Sequence, residues 1–219
     1  MALPAQPAPV KLVCGMISAR AELFELATAE MVKHFGAVDL SSETFPFDLT
    51  HYYDQQMGSP LFRKFVSFER LADPGVLAEA KLLTNEIEAQ FAATSATHNS
   101  VVRVSDASVG TDLQEHGRDA RATRQEHGRD AHATQLARPI NLDVGYVALS
   151  KLVLASMKPF SHRIYLRDGV YGEVTLLYRS ARWEALEWTF PDFASGRYDA
   201  FLNEARRLLL AGPRRECEK

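Results

Sequence analysis

The sequence predicts an α+β fold, a single domain whose mostly antiparallel or mixed sheet is covered by about three helices and interrupted by a long disordered insertion. Three observations carry this prediction. Apolar runs of strand length and stripes of helical period follow one another as strand, helix, strand, strand, helix, and later as several strands and a final helix. Asp168-Gly169 joins two β-rich runs, a hairpin signal that makes the second half antiparallel. Between the halves, residues 94–137 lack a sustained apolar period. The organisation is therefore 10–93, the first part of the domain, 94–137, the insertion, and 138–212, the second part of the same domain. Neither half alone has enough elements to close a core.

The first element is a buried strand at Lys11–Ile17, followed by a helix to about Phe35 with Ser18 as N-cap and Gly36 as its stop. Phe24, Ala27, Met31 and Phe35 recur at helical spacing as its inward stripe. A second strand is expected over Glu43–Asp48, demoted to a sheet edge by Pro46. Thr50–Gly58 is polar and aromatic together and reads as a packed loop, after which Leu61–Phe68 is a strand. Asp73-Pro74 is an N-cap followed by proline at the first helical position. The helix it starts turns Leu77, Ala80, Thr84, Ile87 and Phe91 inward, with Lys81, Asn85 and Glu88 on a neighbouring face.

Within the insertion, Glu115–Gln125 is followed directly by Glu126–Leu136, identical at eight of eleven positions. Two polar copies are too few for a solenoid, and a loop of this length inside a domain is expected to be disordered. Order is expected again at Arg138–Tyr146, then strands at Val153–Ser156, His162–Leu166, Val170–Tyr178 and Trp183–Trp188 and a turn at Thr189–Asp192. The helix from about Arg197 to Leu210 has the clearest stripe, Tyr198, Phe201, Leu202, Ala205, Leu208 and Leu209.

Composition narrows the function classes. The 219 residues are 46% hydrophobic, 24% charged and 10% aromatic, enough for a core without metals or disulfides. A net charge of −3 lacks the basic excess of a nucleic-acid binder, which argues against that partner class. The two cysteines, Cys14 in an apolar run and Cys217 in a charged tail, form no framework and no zinc motif. The N-terminus lacks a signal-peptide pattern, and no apolar run reaches the roughly 20 residues of a membrane span, so a cytoplasmic location without membrane partners is expected.

Several short motifs then recur in order: Phe47-x-x-Thr50-x-Tyr52-Tyr53-x-x-x-Met57-Gly58, Phe65-x-Ser67-Phe68, Asn141-x-Asp143-x-Gly145-Tyr146, Lys151–Ser156, His162–Leu166 and Trp188-Thr189-x-Pro191-Asp192. In these the chain resembles the bacterial family catalogued as domain of unknown function 4416, from about Val10 to Leu210 outside the insertion. It departs from the family pattern at Gln56, Val144, Met157 and Phe193. The resemblance implies fold and membership and brings no established activity. A GTP-binding label sometimes given to members finds no Gly-x-x-x-x-Gly-Lys-[Ser/Thr] loop here.

Site expectations rest on residue type. His162, Lys158 and Asp143 are the catalytic candidates, His162 for acid–base or phosphate contact and Lys158 for charge. Strand alternation would send His162 and Arg163 to opposite faces unless the strand end is loose, and Arg163 can pair with Glu173 across the hairpin. Thr50, Tyr52, Tyr53, Asn141, Arg163, Glu173, Trp188 and Asp192 are the ligand-binding candidates. Asp143, Glu173 and Asp192 with Asn141 could converge on a magnesium-type cation. Asp143 and Asp192 also stand where turns use such side chains to bond backbone, and no metal site is assigned. The insertion's His116, His127 and His132 are read the same way, without metal. No cofactor or protein partner is assigned. The leading function is binding of a small-molecule or nucleotide-phosphate ligand with an open question of catalysis. The alternatives are a non-catalytic interaction module using a sheet edge or helix face and, more weakly, RNA binding.

Overall fold

In the computed structural model, which describes residues 3, 5–106 and 138–212, the apolar run after the Pro-rich start forms β1 (Val10–Ser18), buried along its whole length. A strand covered on both faces belongs in the middle of a sheet between two layers. The chain continues as α1 (Glu22–Phe35), β2 (Val38–Ser41), β3 (Phe45–Pro46), α2 (Asp54–Met57) and β4 (Phe62–Ala72). A short 3₁₀ turn at Pro74–Val76 leads into α3 (Leu77–Asp106), and β5 (Asn141–Ala148), β6 (Lys151–Ser156), β7 (Ile164–Arg167) and β8 (Val170–Arg179) follow. The last elements are β9 (Arg182–Ala185), α4 (Pro191–Ala194) and α5 (Asp199–Ala211). The nine strands form one sheet in the order β2-β4-β1-β5-β6-β8-β7, with β3 beside β4 and β9 beside β8, and every pairing is antiparallel.

This is the expected α+β class, with α1, α3 and α5 as the substantial helices. β1 and β2 both run antiparallel to β4, which lies between them, so they are parallel to each other and α1 is a crossover. Alternation along β1 sends Leu12, Cys14 and Met16 to a core shared with Phe24 and Met31 of α1 and Ile87 of α3. Val13 turns the other way, to Phe65 and to Phe201, Leu202 and Ala205 of α5. The inward stripe of α5 is buried at every expected position except Leu208, which is half-buried. Asp73 caps the turn before α3 by accepting the Gly75 N–H at 2.7 Å. Asp168 and Gly169 at the β7–β8 turn both have positive φ, 51° and 76°, as a type I′ hairpin requires.

Other expectations are corrected. Ser18 does not cap α1: its hydroxyl donates to Pro139 O at 2.8 Å and accepts the Arg20 N–H at 3.0 Å, tying β1 to the start of β5. The expected strand Glu43–Asp48 shrinks to the two residues of β3, because Pro46 has no N–H with which to extend a ladder. β2 escaped prediction because its four residues are only half-buried or exposed and show no clear period. α2 gives a single helical turn inside the Thr50–Gly58 loop, and α4 a single turn at the expected Thr189–Asp192 bend. Helical backbone of α3 continues to Asp106, through residues 94–106 assigned to the insertion. The remainder of that insertion, 107–137 with both repeat copies, lies outside the described residues, as does Cys217. Among the described residues no helix is long and apolar enough to cross a membrane.

Candidate functional site

The sheet forks between its two halves. β5 and β6 are paired only from Ala148↔Lys151 to Gly145↔Leu154. Beyond that point β5 keeps following β1 as far as Asn141↔Ile17, while β6 follows β8 as far as Ser156↔Tyr171. A cavity of about 1010 Å³ occupies the end of the sheet where the strands part. Gly145 stands at the fork, where a Cβ would lie 2.3 Å from Val153 O, so only glycine permits this approach. The Leu142 N–H and C=O, left without a β6 partner, are taken by α3. Glu88 Oε1 accepts the N–H at 2.7 Å and Lys81 Nζ donates to the C=O at 2.8 Å. Glu88 Oε2 also holds Arg138, at 2.9 and 2.6 Å.

One wall is built around Arg63, the second residue of β4. Its guanidinium donates to Asp143 Oδ2 at 2.7 Å and to Asp192 Oδ2 in a buried ion pair. Tyr198 OH donates to the same Asp192 oxygen at 3.2 Å. Rings of Phe47, Phe65, Phe193 and Tyr198 surround the guanidinium at 4.9 to 5.8 Å, a low-dielectric box in which an unpaired cation would be unfavourable. Burial there works against the charged form of Arg63, but Asp192 and Asp143 outweigh it, and its pKa is raised. Burial likewise pushes the Tyr198 hydroxyl up from 10.0 to about 12. Arg63 Nε, Asp192 Oδ1 and Asn141 Nδ2 are buried and make no hydrogen bond among the described residues.

The opposite wall centres on Glu173 of β8. Arg163 Nε donates to its Oε2 at 2.6 Å, and His162 Nε2 lies 3.2 Å from the same oxygen. β7 begins only at Ile164, so both residues precede the regular strand and alternation does not separate them. Arg163 Nη1 also donates to Ser156 Oγ at 2.8 Å and Lys158 O at 3.0 Å, fixing the β6–β7 connection. The His162 ring is parallel to Trp188 within 6°, centroids 5.2 Å apart, and Trp188 Nε1 donates to Val174 O at 2.9 Å. The imidazole is thus held by a carboxylate at its edge and a ring at its face.

The mouth is bridged by Lys158 Nζ donating to Tyr52 OH at 2.5 Å. That bond and the positive charge hold the exposed Tyr52 hydroxyl below its usual range. Its neighbour Tyr53 is turned inward against Phe47, and burial pushes its hydroxyl well above that range.

Ten of the eleven candidates read from the sequence line this cavity: Asp143, Lys158, His162, Tyr52, Tyr53, Asn141, Arg163, Glu173, Trp188 and Asp192. Thr50 does not; its Oγ1 accepts the Tyr52 N–H at 3.2 Å and shapes the loop instead. Arg63 was missed, though an arginine inside an otherwise apolar strand pattern is itself a signal. Lys81 and Asn85, recognised only as a helix face, also line the cavity. Asp143 and Asp192 do not bond nearby backbone as turn residues would, because Arg63 takes both carboxylates. Asp143, Glu173 and Asp192, to which no metal was assigned, are bonded to arginines, the first and third to Arg63 and the second to Arg163. Among the described residues no three His, Cys, Asp or Glu side chains are placed to hold a metal.

The lining has five basic side chains, Arg63, Lys81, Arg138, Lys158 and Arg163, against four acidic ones, Asp143, Glu173, Glu187 and Asp192. The arginines are bonded to carboxylates, whereas Lys81 and Lys158 pair with none among the described residues. Chemically the cavity offers two ammonium groups without an ion-pair partner among the described residues, flat ring surfaces and a carboxylate-bound imidazole.

The family model for the domain of unknown function DUF4416 matches residues 8–102 and 120–208, and the chain belongs to that family. The match is interrupted only within the expected insertion. No curated protein and no solved structure matches the chain.

Proposed function

We propose that this member of the family binds a small molecule carrying both a flat ring and an anionic group, of the nucleotide-phosphate class, in the cavity at the fork of the sheet. One observation carries the reading: a single cavity combines Lys81 and Lys158, ammonium groups without a carboxylate partner among the described residues, with the stacked His162–Trp188 rings. Ammonium groups attract phosphate as point charges, and an aromatic face gives a base or similar ring a large contact area at low entropic cost. The volume, about 1010 Å³, suits a ligand of that size. His162, bonded at one nitrogen to Glu173, is the group to which a proton transfer would be assigned.

Thermal shift of the full chain against nucleoside mono- and triphosphates tests the reading. A ligand at about 100 times its Kd adds about 2.7 kcal/mol to folding stability. The shift should fall in Lys158→Gln and in Trp188→Ala, each compared with its own ligand-free melt. Shifts that survive both substitutions place the ligand elsewhere.

A second reading, the non-catalytic interaction module, has its own observation. β7 is the edge of the sheet, and its Ile164, Tyr165 and Leu166 are all exposed. A flat ligand screen together with concentration-dependent association that Ile164→Lys abolishes would favour it.

A further inference from the structure

We propose that the gap in the sheet where β5 leaves β6 is the seat of a compact oxyanion, a phosphate or carboxylate group, held by Lys81, Asn85 and Asn141. This rests on the ligand-binding reading above and gives the ligand a direction, oxyanion deep in the fork and ring at the mouth.

Lys81 is 4% exposed, and its ammonium spends one of three donors on Leu142 O. No carboxylate pairs with it among the described residues, which leaves two of its donors for a ligand. Asn141, the residue before that carbonyl, is 2% exposed and leaves Nδ2 without a hydrogen bond among the described residues. Asn85 follows Lys81 by one turn of α3, on the same face, and lines the same cavity. A single oxyanion accepts from all three, since each of its oxygens has lone pairs to spare.

Strand alternation decides where it sits. Arg63, Asp143 and Asp192 together carry one surplus negative charge, and they belong to the face covered by Phe193 and Tyr198. Lys81 approaches from the other face, on the helix whose Ala80 and Ile87 pack with Leu142 and Val144. Asn141 shares the face of Asp143 by alternation along β5, so the seat lies in the gap between the parted strands, met by Lys81 from the α3 face and by Asn141 from the other. Glu173 is occupied by Arg163.

The rival account is that Lys81 only ties α3 to β5. Asn85→Asp and Asn141→Asp separate the two, because each puts a negative charge at the seat and leaves the Lys81–Leu142 bond in place. The full chain is titrated with inorganic phosphate and, separately, acetate at constant ionic strength, with melting temperature as the readout and calorimetry for affinity. Phosphate or acetate should stabilise the wild type, and whichever does identifies the anion. Asn85→Asp and Asn141→Asp should each lose affinity at least about tenfold. If Asn141→Asp fails to fold, Asn85→Asp, at a half-buried wall position, decides alone. Equal anion responses in wild type and both Asp variants would overturn the seat. So would a nucleoside response lost in Trp188→Ala with no response to either anion, an outcome that leaves the ring site standing. No response to anions, nucleotides or nucleosides would remove both.

Discussion

Arg63→Met is the perturbation with the most decisive expected outcome. The side chain of Arg63 is 4% exposed, that of Asp192 2% and that of Asp143 22%, so the arginine pairs with one carboxylate out of contact with water and one partly wetted. Methionine suits the space between Phe47, Phe65, Phe193 and Tyr198, and the cost comes from the two carboxylates left behind rather than from the newcomer. Removing one partner of a buried ion pair costs about 3–5 kcal/mol. With a urea m-value of about 2–3 kcal/mol/M, the midpoint should fall by roughly 1–2.5 M. Unfolding followed through Trp183 and Trp188 fluorescence reads this directly. Adding Asp192→Asn to Arg63→Met should recover more than adding Asp143→Asn, because Asp192 is the drier acid. The triple variant should recover most of the loss. A loss under about 1 kcal/mol in Arg63→Met, or a triple variant no better than the single, would refute the view that charge compensation, not packing, sets the worth of Arg63.

Three further outcomes are expected. Gly145→Ala places a methyl 2.3 Å from Val153 O and against Leu154, so backbone must yield, and a loss of about 1–3 kcal/mol with altered ligand response is expected in denaturant melts. Stability should decline at high pH. Burial raises the folded-state pKa of Tyr198 from 10.0 to about 12, so its contribution is complete below pH 10 and is lost between the two values, at roughly 1.4 kcal/mol per pH unit. Tyr198→Phe should flatten that decline, and a slope unchanged by the substitution would remove Tyr198 as its cause. Finally, a tyrosinate absorbance titration should show one residue ionising below the usual range, a component missing in Tyr52→Phe and shifted upward in Lys158→Gln.

What could be read in the sequence is what neighbours along the chain decide. The α5 stripe, the Asp73 cap and the Asp168-Gly169 turn each depend on a few consecutive residues, and each stands where its pattern put it. The polar and aromatic residues that gather at the cavity were legible as types concentrated in loops and strand ends. Their mutual bonds were not. Arg63 meets Asp143 and Asp192 across 80 and 129 positions, and Lys81 meets Leu142 across 61, so sheet order and register decide these contacts. The same is true of Ser18, which looked like a cap by position and became a tie between β1 and the start of β5. Composition and local period set β1, α1, the start of α3 and α5, because backbone propensity and the inward face are local properties. The fork between β5 and β6, and with it the cavity, was decided only in three dimensions, where β1 and β8 hold the outer edges of two strands whose own ladder stops at Gly145.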